Sequence, residues 1–182
     1  MEVKQGDVVL VHSKKLLGRI IQFGMNVERW RWFSFRPFWK KVCNHAAICY
    51  EDGFIAEALA CGITTHSMDE AYGNFKNGTI WIYRPKWNKL EKDRIKVHAL
   101  RYRKVYYQFI NFLQYIPKIL FGVWLGKTGK NAEDRLYCTE YVALVINKAT
   151  LGRLFKKYWR TSPSGIQSWC EKNAELVDEY KF

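Results

Sequence analysis

The sequence predicts an α+β fold in which an antiparallel sheet packs against helices. Short runs rich in β-branched, aromatic or alternating apolar residues indicate strands. Longer segments with apolar residues at steps of three and four indicate helices. The chain of 182 residues is 48% hydrophobic, which is enough for one well-buried domain.

Several segments have the content or the alternation of strands. Turn residues separate some of them, and the last segment is short enough for a sheet edge. The predicted strands are Gly6 to Val11, the two runs around His45 and Glu57, Thr79 to Tyr83, and Glu175 to Tyr180 at the edge.

Three segments are predicted to be helical. Ser13 is expected to cap the first helix, which ends near Gly24. The longest pattern runs from Lys89 to Ile116, and a proline follows it directly. We interpret its apolar stripe as core packing. The third helix runs from Cys138 to Thr150.

Three residues in suitable local contexts predict a thiol site. Cys138 lies at the start of a predicted helix, where the positive end of the helix dipole favours a thiolate. His45 and Glu57 lie on two predicted strands, and the apolar neighbours of Glu57 indicate burial, so that its carboxylate needs a partner. Together these residues predict a thiol, an imidazole and a carboxylate in one site.

The turn between the two strands decides whether His45 and Glu57 share a face of the sheet. A two-residue turn, Asp52-Gly53, would pair Ile48 with Glu57. Since side chains alternate along a strand, His45 and Glu57 would then lie on opposite faces.

The alternative is a three-residue loop, Glu51-Asp52-Gly53, with Gly53 in the left-handed conformation that glycine tolerates. This loop pairs Ala47 with Glu57. His45 and Glu57 then share a face as diagonal neighbours, about 7–8 Å apart at the backbone. The thiol site requires this loop.

Five short segments occur in an order typical of one hydrolase family. They are Gly6 to Leu10, Asn44 to Ile48, Glu57-Ala58, Tyr137 to Val142, and Ser162 to Gly165. The chain resembles the circularly permuted NlpC-like, papain-fold hydrolases of the YiiX-like group, in which the histidine strand precedes the cysteine helix. The resemblance implies a permuted papain-like fold, and either amidase or peptidase chemistry or lipid acyl chemistry.

These observations predict a cysteine-dependent hydrolase or acyltransferase that acts on an amide, ester or thioester. Cys138 would attack the carbonyl carbon, His45 would take and return the proton, and Glu57 would orient the imidazole. No cofactor is expected. The sequence has neither a CxxC nor an HExxH arrangement, so no metal site is predicted.

The domain prediction is a single unit over residues 1–182, with a basic-aromatic loop at 25–42 and an insertion at 115–130. Cations and aromatic rings alternate in this loop, and the formal net charge of the chain is +13. Such a loop suits an anionic lipid surface, which we favour, or single-stranded nucleic acid. It also suits a loop packed over the domain with its charges in water. The candidate surface residues are Trp30, Arg31, Trp32, Arg36 and Trp39.

The alternative function is a non-enzymatic basic module that binds nucleic acid or an anionic membrane surface.

The N-terminal residues lack the charged and apolar regions of a secretion signal. The five cysteines are an odd number without paired spacing, which favours a reduced compartment. We therefore expect a cytoplasmic protein, with peripheral membrane association as the most that the sequence supports.

The basic-aromatic loop should bind anionic vesicles in preference to neutral ones, because its cations match phosphate and its rings match the interface. Replacing Trp30, Trp32 and Trp39 by Ala should reduce binding to anionic vesicles in co-sedimentation. Neutral vesicles are the control. Equal partitioning of both proteins into both kinds of vesicle would contradict a lipid-binding loop.

Overall fold

The structure, a computed structural model, describes residues 1–14, 42–59, 61–102, 106–107 and 135–182. These residues form eight strands and four α-helices, with a short 3-10 helix at Tyr158–Arg160. The strands are β1 Val8–Ser13, β2 His45–Glu51, β3 Phe54–Leu59, β4 Gly62–Ser67, β5 Gly78–Pro85, β6 Tyr106–Tyr107, β7 Arg135–Leu136 and β8 Ala174–Lys181. The helices are α1 Met68–Tyr72, α2 Lys89–Arg101, α3 Cys138–Ala149 and α4 Pro163–Asn173.

Six strands form one antiparallel sheet in the order β4-β3-β2-β1-β5-β8. The first four strands follow one another as a meander, and β5 pairs with the other side of β1. The predicted α+β class, with an antiparallel sheet packed against helices, is confirmed. The predicted edge strand is also confirmed, since β8 lies at one end of the sheet. Strands β6 and β7 form a second, parallel two-stranded sheet.

Each face of the sheet is covered by its own apolar core. Alternate residues Leu10 and Ile48 belong to a core that includes residues of α2, α3 and α4. Their neighbours Val9 and Cys49 belong to a second core on the opposite face, which includes Met68 and Tyr72 of α1. Because both faces are covered there, the inner strands β1, β2 and β3 are mainly apolar. A polar side chain inside either layer therefore needs a partner within the protein.

The turn between β2 and β3 differs from its prediction, although the register at the site does not. Two residues, Asp52 and Gly53, separate β2 from β3, so the predicted three-residue loop is wrong. The register shifts by one residue within β2, between Cys49 and Glu51. This shift supplies the offset that the loop was expected to supply, and Ala47 pairs with residue 57 as predicted.

Helix α2 is shorter than predicted. It runs from Lys89 to Arg101, with Tyr102 as its C-cap. Asn88 is the N-cap, and its side chain and that of Glu91 form a reciprocal capping box. The predicted helix to Ile116 is wrong, because residues 106–107 form a strand paired with β7. Aromatic residues at helical spacing caused the error, since such residues also favour strands.

Helix α3 confirms its prediction to within one residue, with Thr150 as the C-cap. Ser13 is the last residue of β1 and pairs with Gly78. The helix that Ser13 was expected to cap, the loop at 25–42 except for Val42, and the insertion at 115–130 lie outside the described residues. None of the helices within the described ranges is long and apolar enough to cross a bilayer.

Gly53 has a left-handed backbone, with φ of +78°, as predicted. A Cβ there would meet no atom within 4 Å, so its cost is backbone strain alone. Gly53→Val should lower the free energy of unfolding by about 1–2 kcal/mol in urea titrations. Gly53→Asn is the matched control and should cost less, since Asn tolerates this conformation better. Equal stability of the Val variant and the wild type would contradict the strain.

Candidate active site

The first residue of β2 is His45, and the residue before it fixes where the strand starts. Asn44 donates its backbone N–H to Val11 O at 2.8 Å and its side-chain amide to Ser13 O at 2.7 Å. The Ser13 N–H in turn donates to Asn44 Oδ1 at 3.0 Å. These bonds extend the pairing of β1 with β2 beyond the last regular pair, Val11 with His45. The backbone of His45 is therefore held between paired residues on both sides.

Glu57 lies on β3, the second strand from one edge of the sheet, and on the same face as His45. It pairs with Ala47, which is two residues along β2 from His45, and side chains two apart share a face. On its other side it pairs with Thr64 of β4. The Glu57 side chain is only 5% exposed, so its carboxylate depends on protein donors rather than on water.

Three side chains supply those donors. His45 Nε2 bonds Glu57 Oε2 closely, and the Tyr72 hydroxyl donates to the same oxygen at 2.8 Å. His66 Nε2 bonds the other oxygen, Oε1, at 2.8 Å. The donors come from β2, α1 and β4, so the carboxylate joins three elements around β3.

The hydrogen bonds keep Glu57 ionised. Burial alone would raise its pKa, but the hydrogen bond and charge of His45, with the bonds from Tyr72 and His66, lower the pKa of Glu57 to about 2. Burial and then the charge of Glu57 raise the pKa of Tyr72 well above its ordinary value. Tyr72 is therefore a neutral hydroxyl that donates, and Glu57 is a carboxylate that accepts.

Cys138 lies on the other side of His45. Burial lowers the pKa of His45, but the charge of Cys138, its side-chain hydrogen bond and the interactions with Glu57 outweigh burial and raise that pKa well above its usual value. Because Nε2 is engaged by Glu57, Nδ1 is the ring nitrogen that remains for Cys138. The structure thus brings Cys138, His45 and Glu57 together in the predicted order.

The start of α3 is anchored on both sides of Cys138. Tyr137 is the N-cap and makes no side-chain cap bond; instead its hydroxyl donates to Thr161 O at 2.7 Å. The Thr139 hydroxyl donates to the same carbonyl, also at 2.7 Å. Ser162, the next residue, caps α4. The carbonyl of Thr161, directly before the cap of α4, therefore holds the first turn of α3 in place.

The other four cysteines differ from Cys138 in their surroundings. Burial raises the pKa of Cys49 to about 12, and burial also raises the pKa of Cys170. Cys43 is buried and its thiol donates to Pro163 O at 3.2 Å. Cys61 is exposed. Of these thiols, Cys61 is the one that a reagent in water reaches most directly.

Two residues of the site, His66 and Tyr72, were not predicted from the sequence. The β-branched run Ile63-Thr64-Thr65 is a strand signal, and it marks the strand that carries His66. The predicted surface residues Trp30, Arg31, Trp32, Arg36 and Trp39 lie outside the described residues. In the part of the chain that the structure describes, no three His, Cys, Asp or Glu residues form a group that could hold a metal ion.

Comparisons with known proteins show a likeness of fold. No family model matches the sequence, and no curated protein matches it. A crystal structure of metalloprotein yiiX from Escherichia coli O157:H7 is similar, with a TM-score of 0.53 and 15% identity. The match covers 80% of this chain and 66% of that chain, so this chain spans just under two thirds of its length. The likeness is consistent with the resemblance to the YiiX-like group.

Glu57→Gln should change how stability depends on pH. The pKa of Glu57 is about 2 in the folded protein, below its ordinary value of 4.5, so its contribution to stability is present above pH 4.5 and is lost as the pH falls toward 2. The variant should lose less free energy of unfolding than the wild type over that range in urea titrations. Glu175→Gln, at an exposed position, is the control. Parallel curves for wild type and Glu57→Gln would contradict the shift.

Proposed function

We propose that this protein is a cysteine-dependent hydrolase or acyltransferase that acts on an amide, ester or thioester. One observation carries the proposal: His45 lies between Cys138 and Glu57 and bonds to both, and its pKa is raised by both. A histidine that is kept protonated by a carboxylate on one side can stabilise a thiolate on the other side. A histidine with a purely structural role has no need of a thiol partner.

In the proposed reaction, Cys138 Sγ forms a bond to the carbonyl carbon of the substrate. The bond to the leaving group breaks, and the proton held on His45 Nδ1 goes to that group. For hydrolysis, His45 then takes a proton from water, whose oxygen displaces the thiolate from the acyl group. For acyl transfer, a second acceptor takes the place of water. Glu57 stays ionised throughout and holds the imidazole through Nε2.

The first turn of α3 offers support for charge that develops on the carbonyl oxygen. The leading N–H groups of an α-helix have no partner within the helix, and here the N-cap side chain does not bond to them. The N–H of Cys138 would therefore be one donor to the oxyanion. The anchoring of Tyr137 and Thr139 on Thr161 O would keep this donor in place.

We further propose that the fold is a circularly permuted papain-like fold of the NlpC type. Three features support it: the order of His45, Glu57 and Cys138 along the chain, the position of Cys138 at the start of a helix, and the antiparallel sheet that carries His45. The likeness to yiiX supports the same general architecture.

The description of yiiX as a metalloprotein does not extend to this site, because the arrangement of its histidine and carboxylate groups does not fit a metal ion. The Nε2 atoms of His45 and His66 each bond a different oxygen of Glu57, with the carboxylate between the two rings. Metal ligands instead direct their lone pairs at one common point. The proposed reaction therefore involves no metal ion.

Alkylation of the thiols tests the proposal. Limiting iodoacetamide at mildly acidic pH should label Cys138 first, read by peptide mass mapping, because a protonated His45 favours the reactive thiolate. His45→Ala should slow labelling strongly, and Glu57→Gln should slow it less, since Glu57 acts through the imidazole. Cys61→Ser is a suitable background, because Cys61 is exposed and competes for reagent.

The control thiols are Cys49 and Cys170, whose raised pKa values predict slow labelling in every variant. The hydrolase proposal fails if Cys138 labels no faster than these thiols and if His45→Ala leaves its rate unchanged. The basic binding module would then be the better account of the protein.

A further inference from the structure

We propose that His66 is a positioning residue of the site: it clamps Oε1 of Glu57 and so directs Oε2 at His45. This inference rests on the proposed function, and it adds a second histidine on the far side of the carboxylate. His66 is not expected to touch the substrate.

The clamp follows from how the donors divide between the two oxygens. Oε2 accepts from His45 and Tyr72, whereas the partner of Oε1 is His66, at 2.8 Å. A carboxylate with a donor on each oxygen cannot rotate about its last bond without breaking at least one hydrogen bond. His66 therefore fixes the plane of the carboxylate, and that plane sets the direction from Oε2 to His45.

The ring of His66 is itself held in place. His66 lies on β4, two residues from Thr64, and Thr64 pairs with Glu57. The side chains of Thr64 and His66 therefore lie on the same face of the sheet as the Glu57 carboxylate. The Thr64 hydroxyl oxygen lies 3.4 Å from His66 Nε2 and can act as a second, weaker acceptor for the N–H that bonds Glu57. Because ionised Glu57 is an acceptor only, His66 Nε2 must carry the proton and act as donor.

Loss of the His66 donor would affect Cys138 indirectly, through Glu57 and then His45. Without a partner for Oε1, the buried carboxylate would turn toward other donors or toward water, and its bond to His45 would weaken. The side chain of His66 is 18% exposed, so a smaller residue would admit water to the carboxylate. A weaker bond to Glu57 leaves the imidazole less well oriented toward the thiol.

The test compares two polar replacements of His66 whose amide groups lie at different distances from the backbone. In His66→Gln the amide nitrogen can occupy the position of Nε2, whereas in His66→Asn it lies near the position of Nδ1. We expect His66→Asn to slow alkylation of Cys138 about tenfold, the usual effect of losing one hydrogen bond to a charged group. His66→Gln should remain within about threefold of the wild type, because it restores the donor.

The pH profile of alkylation separates positioning from a general loss of structure. In His66→Asn the midpoint of the profile should move to higher pH, while His66→Gln should keep the wild-type midpoint. His12→Asn is the matched control, since His12 is a buried histidine of the same sheet whose Nδ1 bonds Val42 O. It should leave the midpoint unchanged even if it lowers the free energy of unfolding in urea.

The outcomes distinguish this inference from the proposed function. If Cys138 labels no faster than Cys49 and Cys170 and His45→Ala leaves its rate unchanged, the proposed function fails, and the role of His66 fails with it. If His45→Ala slows alkylation but His66→Asn behaves as wild type, the clamp alone is overturned. Equal slowing by Asn and Gln would also overturn it, because the position of the donor would then not matter.

Discussion

The buried carboxylate of Glu57 is the interaction on which the arrangement of this site depends. An ionised carboxylate in an apolar layer is costly unless hydrogen bonds replace its water. Here the donors come from β2, β4 and α1, so β3 cannot shift relative to any of them without leaving a charge without its partners. The requirement to satisfy one charge therefore fixes the positions of three elements and, with them, the position of His45.

The same charge links packing to chemistry. Tyr72 is part of the second apolar core and also donates to Glu57, so the core and the polar network share a side chain. His45 is a bridge between this network and the helix that carries Cys138. A change in packing around α1 would consequently alter the orientation of the His45 imidazole, although no residue of α1 takes part in the proposed reaction.

Much of the site could be predicted from local sequence, because each of its three central residues lies in a distinctive context. Cys138 begins a largely apolar helix, and Gly53 marks a turn that needs a left-handed residue. The site of the register shift could not be predicted, since Tyr50 suits a buried strand with or without an irregularity. His66 and Tyr72 were missed because their roles depend on pairing with a third strand and on packing across layers. Single-sequence periodicity reports neither relation, and for the same reason it extended α2 through aromatic residues that form a strand.

The residues that surround the carboxylate lie close together in the chain, between positions 45 and 72, whereas Cys138 is far from them in sequence. The imidazole and carboxylate can therefore be brought together by contacts among neighbouring strands, at a small cost in loop-closure entropy. The thiol joins them only when α3 docks on the sheet. A partly folded chain with an undocked helix would hold the base without its nucleophile, so the topology withholds chemical competence until the long-range contacts of the native state have formed.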